Sequence, residues 1–443
     1  MGNITLGILG LGVLLFLIVV RVPIAYTMIL VGIGGTIVES GPRVLLNQLK
    51  DLAYAQFSNY DLTVLPMFIL MGGLAARSGL SQDLFRGANA LLGRFRGGVA
   101  MAAVAACAGF GALSGSSTAT ASTMARVALP ELRRYKYAPS LATGTIAAGG
   151  TLGILIPPSV VLIVYAVIVE TNIVTLFAAA LIPGILATLM FMLTIGIYVR
   201  FVPGSGPEGS HLPRKEVIAG LVGVLPVAAI FLIVIGGIYA GLYNPTPAAA
   251  VGVFLVAAFG FVTGRMNWRD FIESLYETAR TSGMIFLILL GAELLKIFMA
   301  RAGVPQAAAE YLQTSGLPPY AIMVLVIFAF LVFGCLMDSL SMVILAVPFF
   351  WPVISGLDFG MSPDDLKIWF GIIILVVVEL GLITPPVGLN VFIINSLAPD
   401  VPMKQTFKGV VPFFLSEIVR VTLLVLFPAL SLTLPYLLAG PAR

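Results

Sequence analysis

Apolar residues run through this chain in long blocks, separated by short polar or Gly/Pro-rich breaks. A spanning helix needs about 20 mostly apolar residues, and the blocks lack the period-two alternation of a membrane barrel strand. The pattern therefore predicts helical spans at 4–20, 22–38, 62–76, 173–199, 217–239, 248–262, 283–300 and 410–438. An amphipathic helix is expected around 44–57 and a separate interfacial helix at 268–281.

Two blocks behave differently. The stretch 97–130 holds two short arms around a Gly/Ser tip at 114–118, with basic clusters at both ends. Arms of about a dozen residues at ~1.5 Å each reach only halfway through a ~30 Å hydrocarbon core. A re-entrant hairpin, entering and leaving on one side, satisfies both facts. The same design recurs with arms 320–333 and 342–354 and a tip at 334–341. Each hairpin precedes an apolar run interrupted by a Pro-Pro pair, 138–169 at Pro157-Pro158 and 368–397 at Pro385-Pro386. Aligning the copies pairs Gly111 with Gly334, Ser116 with Ser339, Thr118 with Ser341, and Leu152-Gly153 with Leu380-Gly381.

Composition agrees with an all-α polytopic membrane protein. The chain is 59% hydrophobic and 10% charged, with a mean hydropathy of +1.08, far from the usual soluble domain. Charge then sets orientation, because cytoplasmic loops carry the excess of Lys and Arg. With the N-terminus outside, the first hairpin entering from inside and the second from outside, only Arg43, Lys50, Arg301, Lys367 and Arg443 fall outside. Lys296 and Arg420 fall within spans, and all the other basic residues lie inside. Trp351 and Trp369 are expected as interfacial aromatics flanking an outer loop. Two halves of opposite orientation are the inverted-repeat pattern of secondary transporters. The net charge of +4 thus reflects membrane orientation and gives no sign of a nucleic-acid partner.

Other chemistries find little support. The single histidine, His211, lies in a polar loop, and Cys107 and Cys335 sit inside apolar runs. No His-based triad, Cys metal spacing or P-loop is present, which leaves an intramembrane enzyme or ATPase without machinery.

The breaks carry the chemistry that remains. Unwound backbone at membrane depth is tolerated only where it is buried in protein or lines a cavity. Proline frees upstream carbonyl oxygens, Ser and Thr add hydroxyl oxygens, and half-helix N-termini favour anions. Together these groups suit coupled binding of Na⁺ and a carboxylate. One Pro-Pro pair alone only kinks a helix; four breaks paired in an inverted repeat point to a binding site. Asp338 at the second tip is a candidate ligand or orienting group, and Glu379 precedes the second break by one turn. Glu293 with Lys296, and Glu417 with Arg420, are spaced to pair locally on one helix face.

The combined motifs Gly111-Ala-Leu-Ser-Gly-Ser-Ser-Thr-Ala-Thr120, Gly150-Thr-Leu-Gly-Ile-Leu-Ile-Pro-Pro-Ser159 and Leu382-Ile-Thr-Pro-Pro-Val-Gly-Leu-Asn390 resemble the large membrane subunit of tripartite ATP-independent periplasmic (TRAP) transporters. The likeness covers nearly the whole chain. It implies an elevator-type carrier in the bacterial inner membrane, moving an organic acid such as a dicarboxylate, sialic acid or keto acid with Na⁺. It implies no further cofactor and two partners, a separate small four-helix membrane subunit and a periplasmic substrate-binding protein. Segments 97–170 and 319–398 would form the transport domain, and 1–96, 171–318 and 399–443 the scaffold and C-terminal span.

By that resemblance one Na⁺ site comprises Ser114, Gly115, Ser116, Ser117, Thr118, Gly150, Gly153 and Pro157. The other comprises Gly334, Asp338, Ser339, Ser341, Gly381, Thr384, Pro385 and Gly388. Substrate would meet Ser116, Ser117, Ser159, Ser339 and Asn390 between the tips. A stand-alone Na⁺/divalent-anion symporter or antiporter, and a passive channel or structural subunit, are the alternative expectations.

Overall fold

A computed structural model describes residues 2–209, 213–314 and 316–439; His211 and Arg443 lie outside them. The described residues form helices joined by short turns. The first part of the chain gives α1 (Gly2–Val19), α2 (Ile24–Ser40), α3 (Pro42–Phe57), α4 (Val64–Arg77) and α5 (Leu80–Leu92). There follow α6 (Gly98–Ser114), α7 (Ser117–Arg134), α8 (Pro139–Leu155), α9 (Val160–Val169) and α10 (Ile173–Phe201).

The second half continues with α11 (Arg214–Phe231), which runs through a π-turn into α12 (Gly237–Tyr239), then α13 (Pro245–Val262) and α14 (Trp268–Ala302). After α15 (Val304–Thr314) come α16 (Pro319–Gly334), α17 (Ser339–Ser355), α18 (Pro363–Leu382), α19 (Leu389–Leu397), α20 (Met403–Leu426) and α21 (Ala429–Ala439). Among the described residues six helices are long and apolar enough to cross a membrane, and α8 with α9, bent by 45°, makes a seventh if the pair is one broken span.

Both hairpins are present, α6–α7 and α16–α17, and both apolar runs break at their Pro-Pro pair, between α8 and α9 and between α18 and α19. The hairpin arms are longer than expected, at 17 and 18 residues in the first and 16 and 17 in the second. Helix α7 runs on through Pro130 into the basic residues Arg133 and Arg134, which can reach the interface while the helix remains regular.

Three further expectations change. The interfacial helix at 268–281 and the span at 283–300 are one helix, the 35-residue α14. Its Asn267–Asp270 capping box starts the helix, and only Gly283 marks the junction, which is too weak a signal to stop it. The last span divides at Phe427–Pro428 into α20 and α21, since proline removes a helical hydrogen bond. Trp369 is fully buried and donates its indole N–H to the Leu424 carbonyl at 2.8 Å, so it ties α18 to α20 and does not anchor an interface.

Polar contacts join ends that the charge pattern assigns to one side. Arg77 pairs with Glu273 at 3.0 Å and Glu277 at 2.8 Å, and Arg133 pairs with Asp400 at 2.6 Å. Arg265 pairs with Asp83 of α5. At the opposite ends, Arg301 reaches Ser40 at 3.2 Å and Lys367 reaches the Glu170 carbonyl at 3.3 Å. The hairpin arms α6 and α7 lie against α8, and α20 crosses α8 where Gly144 meets the Gly409 backbone.

Candidate functional site

The first tip is a knot of oxygen atoms. Helix α6 ends at Ser114, Gly115 takes a left-handed conformation (φ +58°), and Ser116 caps α7 by accepting the Ala119 N–H at 3.3 Å. Ser114 Oγ lies 2.7 Å from Thr120 Oγ1 and 3.4 Å from the Ser116 carbonyl. Gly153 of α8 sits directly beneath, where a Cβ would fall 2.5 Å from both the Ser116 oxygen and Thr120 Oγ1. A Cβ on Gly115 would fall 2.8 Å from the Pro158 carbonyl oxygen. Two hydroxyls and the Ser116 carbonyl therefore converge above Gly153, with the Pro158 carbonyl against the neighbouring Gly115, a donor set that suits a hard monovalent cation.

Several predicted residues have other tasks. Gly150 packs α8 on Ala121 of α7, where a Cβ would come within 2.6 Å of the Ala121 methyl. Ser117 and Thr118 face the cavity described below, and Thr118 Oγ1 lies 3.3 Å from Ser116 Oγ. Pro157 is buried within the break. Thr120 was not among the predicted ligands. Its signal was its place one helical turn beyond Ser116, on the same face.

The second tip uses different groups. Helix α16 ends at Gly334, and Asp338 caps α17 by accepting the Ser341 N–H at 3.1 Å. By their caps, Ser116 corresponds to Asp338 and Ser117 to Ser339. The sequence alignment of Ser116 with Ser339 is thus offset by one, because the second tip is one residue shorter between its crossing glycine and its cap. Ser339 Oγ donates to Glu379 Oε1 at 2.7 Å across the hairpin, and the carboxylate is 1% exposed.

Gly334 and Gly381 are in backbone contact, where a Cβ on Gly381 would lie 2.6 Å from Gly334 Cα. Thr384 returns its hydroxyl to the Leu380 carbonyl at 2.6 Å, and Gly388 (φ +59°) stands at the N-cap of α19. Pro385 and Pro386 are exposed, whereas Pro157 and Pro158 are buried.

A cavity of about 830 Å³ joins the two tips. Ser114–Thr118, Asp338 and Ser339 line it, together with Gly72 and Gly73 of α4 and Ser274 and Thr278 of α14. Gly72 permits α4 to back directly onto the first tip, since a Cβ there would meet the Ser114 backbone at 2.8 Å. Arg77, Glu277 and Arg126 also line the cavity, on the side that carries the basic excess. Of the predicted substrate contacts, Ser116, Ser117 and Ser339 line this space and Ser159 and Asn390 do not. Ser159 caps α9 by accepting the Leu162 N–H at 3.3 Å, and Asn390 ties α19 to α8 by donating to the Ala147 carbonyl at 3.4 Å. A second polar cavity, lined by Asn59, Asp61, Glu170, Asn172 and Asp364, shares none of these residues.

The expected local pairs form as well. Glu293 and Lys296 lie 3.5 Å apart at the surface, and Glu417 and Arg420 pair in the interior. Arg420 also donates to the Pro183 carbonyl of α10 at 3.2 Å. Among the described residues, no group of three His, Cys, Asp or Glu is arranged to hold a metal ion.

Comparison with known proteins extends this geometry. Residues 11–430 match the family model of the tripartite ATP-independent periplasmic transporter, DctM component. The chain is 34% identical over 393 residues to the C4-dicarboxylate TRAP transporter large permease of Pseudomonas aeruginosa, covering 88% of this chain and 90% of that one. It is 29% identical to the sialic acid TRAP transporter large permease of Vibrio cholerae, covering 94% and 96%. Among solved structures, the Alcanivorax borkumensis YdaH transporter superposes with a TM-score of 0.62 at 16% identity, over 87% of this chain and 88% of that one, a likeness of fold. Hairpins, broken helices and full-length similarity lead to one conclusion: this chain belongs to the DctM family of TRAP transporter large permeases, multi-pass proteins of the bacterial inner membrane.

Proposed function

We propose that this permease imports an organic-acid anion by symport with Na⁺, receiving it from a periplasmic binding protein and working with a small four-helix membrane subunit. The observation that carries this reading is the shared cavity, into which the capped N-terminal ends of α7 and α17 both project. Helix N-termini favour an anion, while the hydroxyl and carbonyl oxygens packed at the first tip favour a cation. Relatives named for C4-dicarboxylate and for sialic acid support the substrate class.

Energetically, each Na⁺ entering down a 100 mV potential contributes about 2.3 kcal/mol before its concentration gradient is added. Each negative charge on the substrate costs the same on entry, so two Na⁺ leave about 2.3 kcal/mol from the potential for a monoanion, and for a dianion the Na⁺ concentration gradient supplies the drive without ATP. In an elevator movement, 97–170 and 319–398 would travel as one unit against 1–96 and 171–318. The Gly144–Gly409 crossing would couple α20, within 399–443, to that unit.

The test is uptake into liposomes holding this chain, its small partner and the binding protein. An inward Na⁺ gradient should drive accumulation of C4-dicarboxylates, sialic acids or keto acids above equilibrium. Equal uptake with K⁺ replacing Na⁺ would refute the coupling, and uptake independent of the binding protein would favour a stand-alone carrier.

A further inference from the structure

Glu379 lies behind the cavity-lining residues Ser339 and Ser117, where both hairpins converge on it. Ser339, the first residue of α17, donates to its Oε1 at 2.7 Å. Ser117, the first residue of α7, faces the same carboxyl group. Its Oε2 is buried and makes no hydrogen bond to the protein. One carboxyl group is thus shared by corresponding residues of the two hairpins. A buried ionised carboxylate without a counter-charge is costly.

The neighbouring charges do not supply that counter-charge. Glu417 and Arg420 of α20 are the charged groups that act on Glu379, but they are paired with each other. Of the other helices packed against α18, α8, α9, α16, α17, α19 and α21 contain no Lys or Arg, α10 carries only the exposed Arg200 in its last turn, and the remaining cations of α20, Lys404 and Lys408, are exposed. On α7 the nearest, Arg126, is about two and a half turns from Ser117. The corresponding residue of the first repeat is Thr151, two before Gly153, and its hydroxyl is spent on the Ala148 carbonyl at 2.6 Å. The carboxyl group therefore belongs to one repeat alone and is not a product of the symmetry.

We propose that Glu379, Ser339 and Ser117 hold a Na⁺ ion between the two hairpins, distinct from the cation sites at the individual tips. This inference rests on the Na⁺-coupled reading above. An ion there gives the carboxylate its counter-charge and draws the two tips together, so that substrate meets a closed and neutralised lining.

The experiment measures the Na⁺-to-substrate ratio from reversal potentials in liposomes containing the complete transporter. E379Q keeps the shape and hydrogen-bonding capacity of the side chain but removes its charge. It should transport with one fewer Na⁺ per substrate and a shallower Na⁺ activation curve, while E379D keeps the wild-type ratio. An E379Q ratio equal to wild type overturns the proposal, including the case in which Glu379 works as a neutral acid that Gln mimics. Should E379Q fail to insert, S117A and S339A carry the test, each raising the half-activating Na⁺ concentration about tenfold through loss of one charge-assisted contact. Unchanged activation in both would overturn it. Wild-type transporter that ignores a Na⁺ gradient would instead defeat the importer reading itself.

Discussion

Gly334 and Gly381 meet backbone to backbone where the second hairpin crosses its broken helix, and a methyl group on Gly381 would stand 2.6 Å from Gly334 Cα. In the first repeat Gly111 and Gly153 do the same, with a methyl group on Gly111 placed 2.7 Å from Gly153 Cα. Both crossings lie within a few residues of a tip, so the spacing of the helices there fixes where the tip's oxygens sit. Gly153→Ala and Gly381→Ala should each cost about 1–3 kcal/mol by overpacking and strongly reduce uptake. Thermal unfolding in detergent, paired with liposome uptake, checks this; wild-type values for both variants would show the crossings to be slack.

Thr120 gives a direct test of the first tip. Thr120→Val preserves shape and removes the hydroxyl that lies 2.7 Å from Ser114 Oγ. The half-activating Na⁺ concentration should rise several-fold while membrane insertion is unchanged. Ser116→Ala should have a smaller effect on Na⁺ activation, since its side chain serves as a cap worth about 1 kcal/mol and its carbonyl is retained.

Asp338 separates charge from capping. Asparagine caps a helix about as well as aspartate, so Asp338→Asn should leave thermal stability unchanged. Its uptake rate should fall by at least about tenfold if the carboxylate acts in the cavity, the equivalent of ~1.4 kcal/mol. Wild-type kinetics would reduce Asp338 to a cap.

The interior pair on α20 predicts a stability effect apart from transport chemistry. Arg420→Met leaves Glu417 buried and unpaired, which should cost about 3–5 kcal/mol. The double variant Glu417→Leu, Arg420→Met should recover much of the loss in a thermal-shift measurement. Equal destabilisation in single and double variants would mean that the Arg420 contact to the Pro183 carbonyl, and not the pairing, is what matters.

Much of this architecture was legible because a membrane makes backbone breaks expensive and therefore conspicuous. Gly115, Pro157-Pro158 and Pro385-Pro386 announced themselves inside apolar runs, and the basic residues gave each hairpin a side. What escaped notice depended on tertiary contacts. Trp369 has the composition of an interfacial anchor but is enclosed by α20. The residues near 282 carry no signal strong enough to show that α14 continues through them. The one-residue offset between tips was hidden because two serines, Ser116 and Ser117, stand side by side at the first tip, so only helix geometry could distinguish Ser116 from Ser117 as the partner of Asp338. Ser159 and Asn390 are polar and adjacent to breaks, yet they serve a cap and an interhelical contact.

The cavity that joins the tips also carries Arg77, Glu277 and Arg126 in its lining, and this gives pharmacology a charged approach to the tips. A blocker entering the chamber past these residues would bring an acidic group between two guanidinium groups before it reached the tips. In this conformation a bulky, membrane-impermeant reagent applied to the opposite face would find the polar recess around Asp61 and Glu170, which shares no lining residue with the tips.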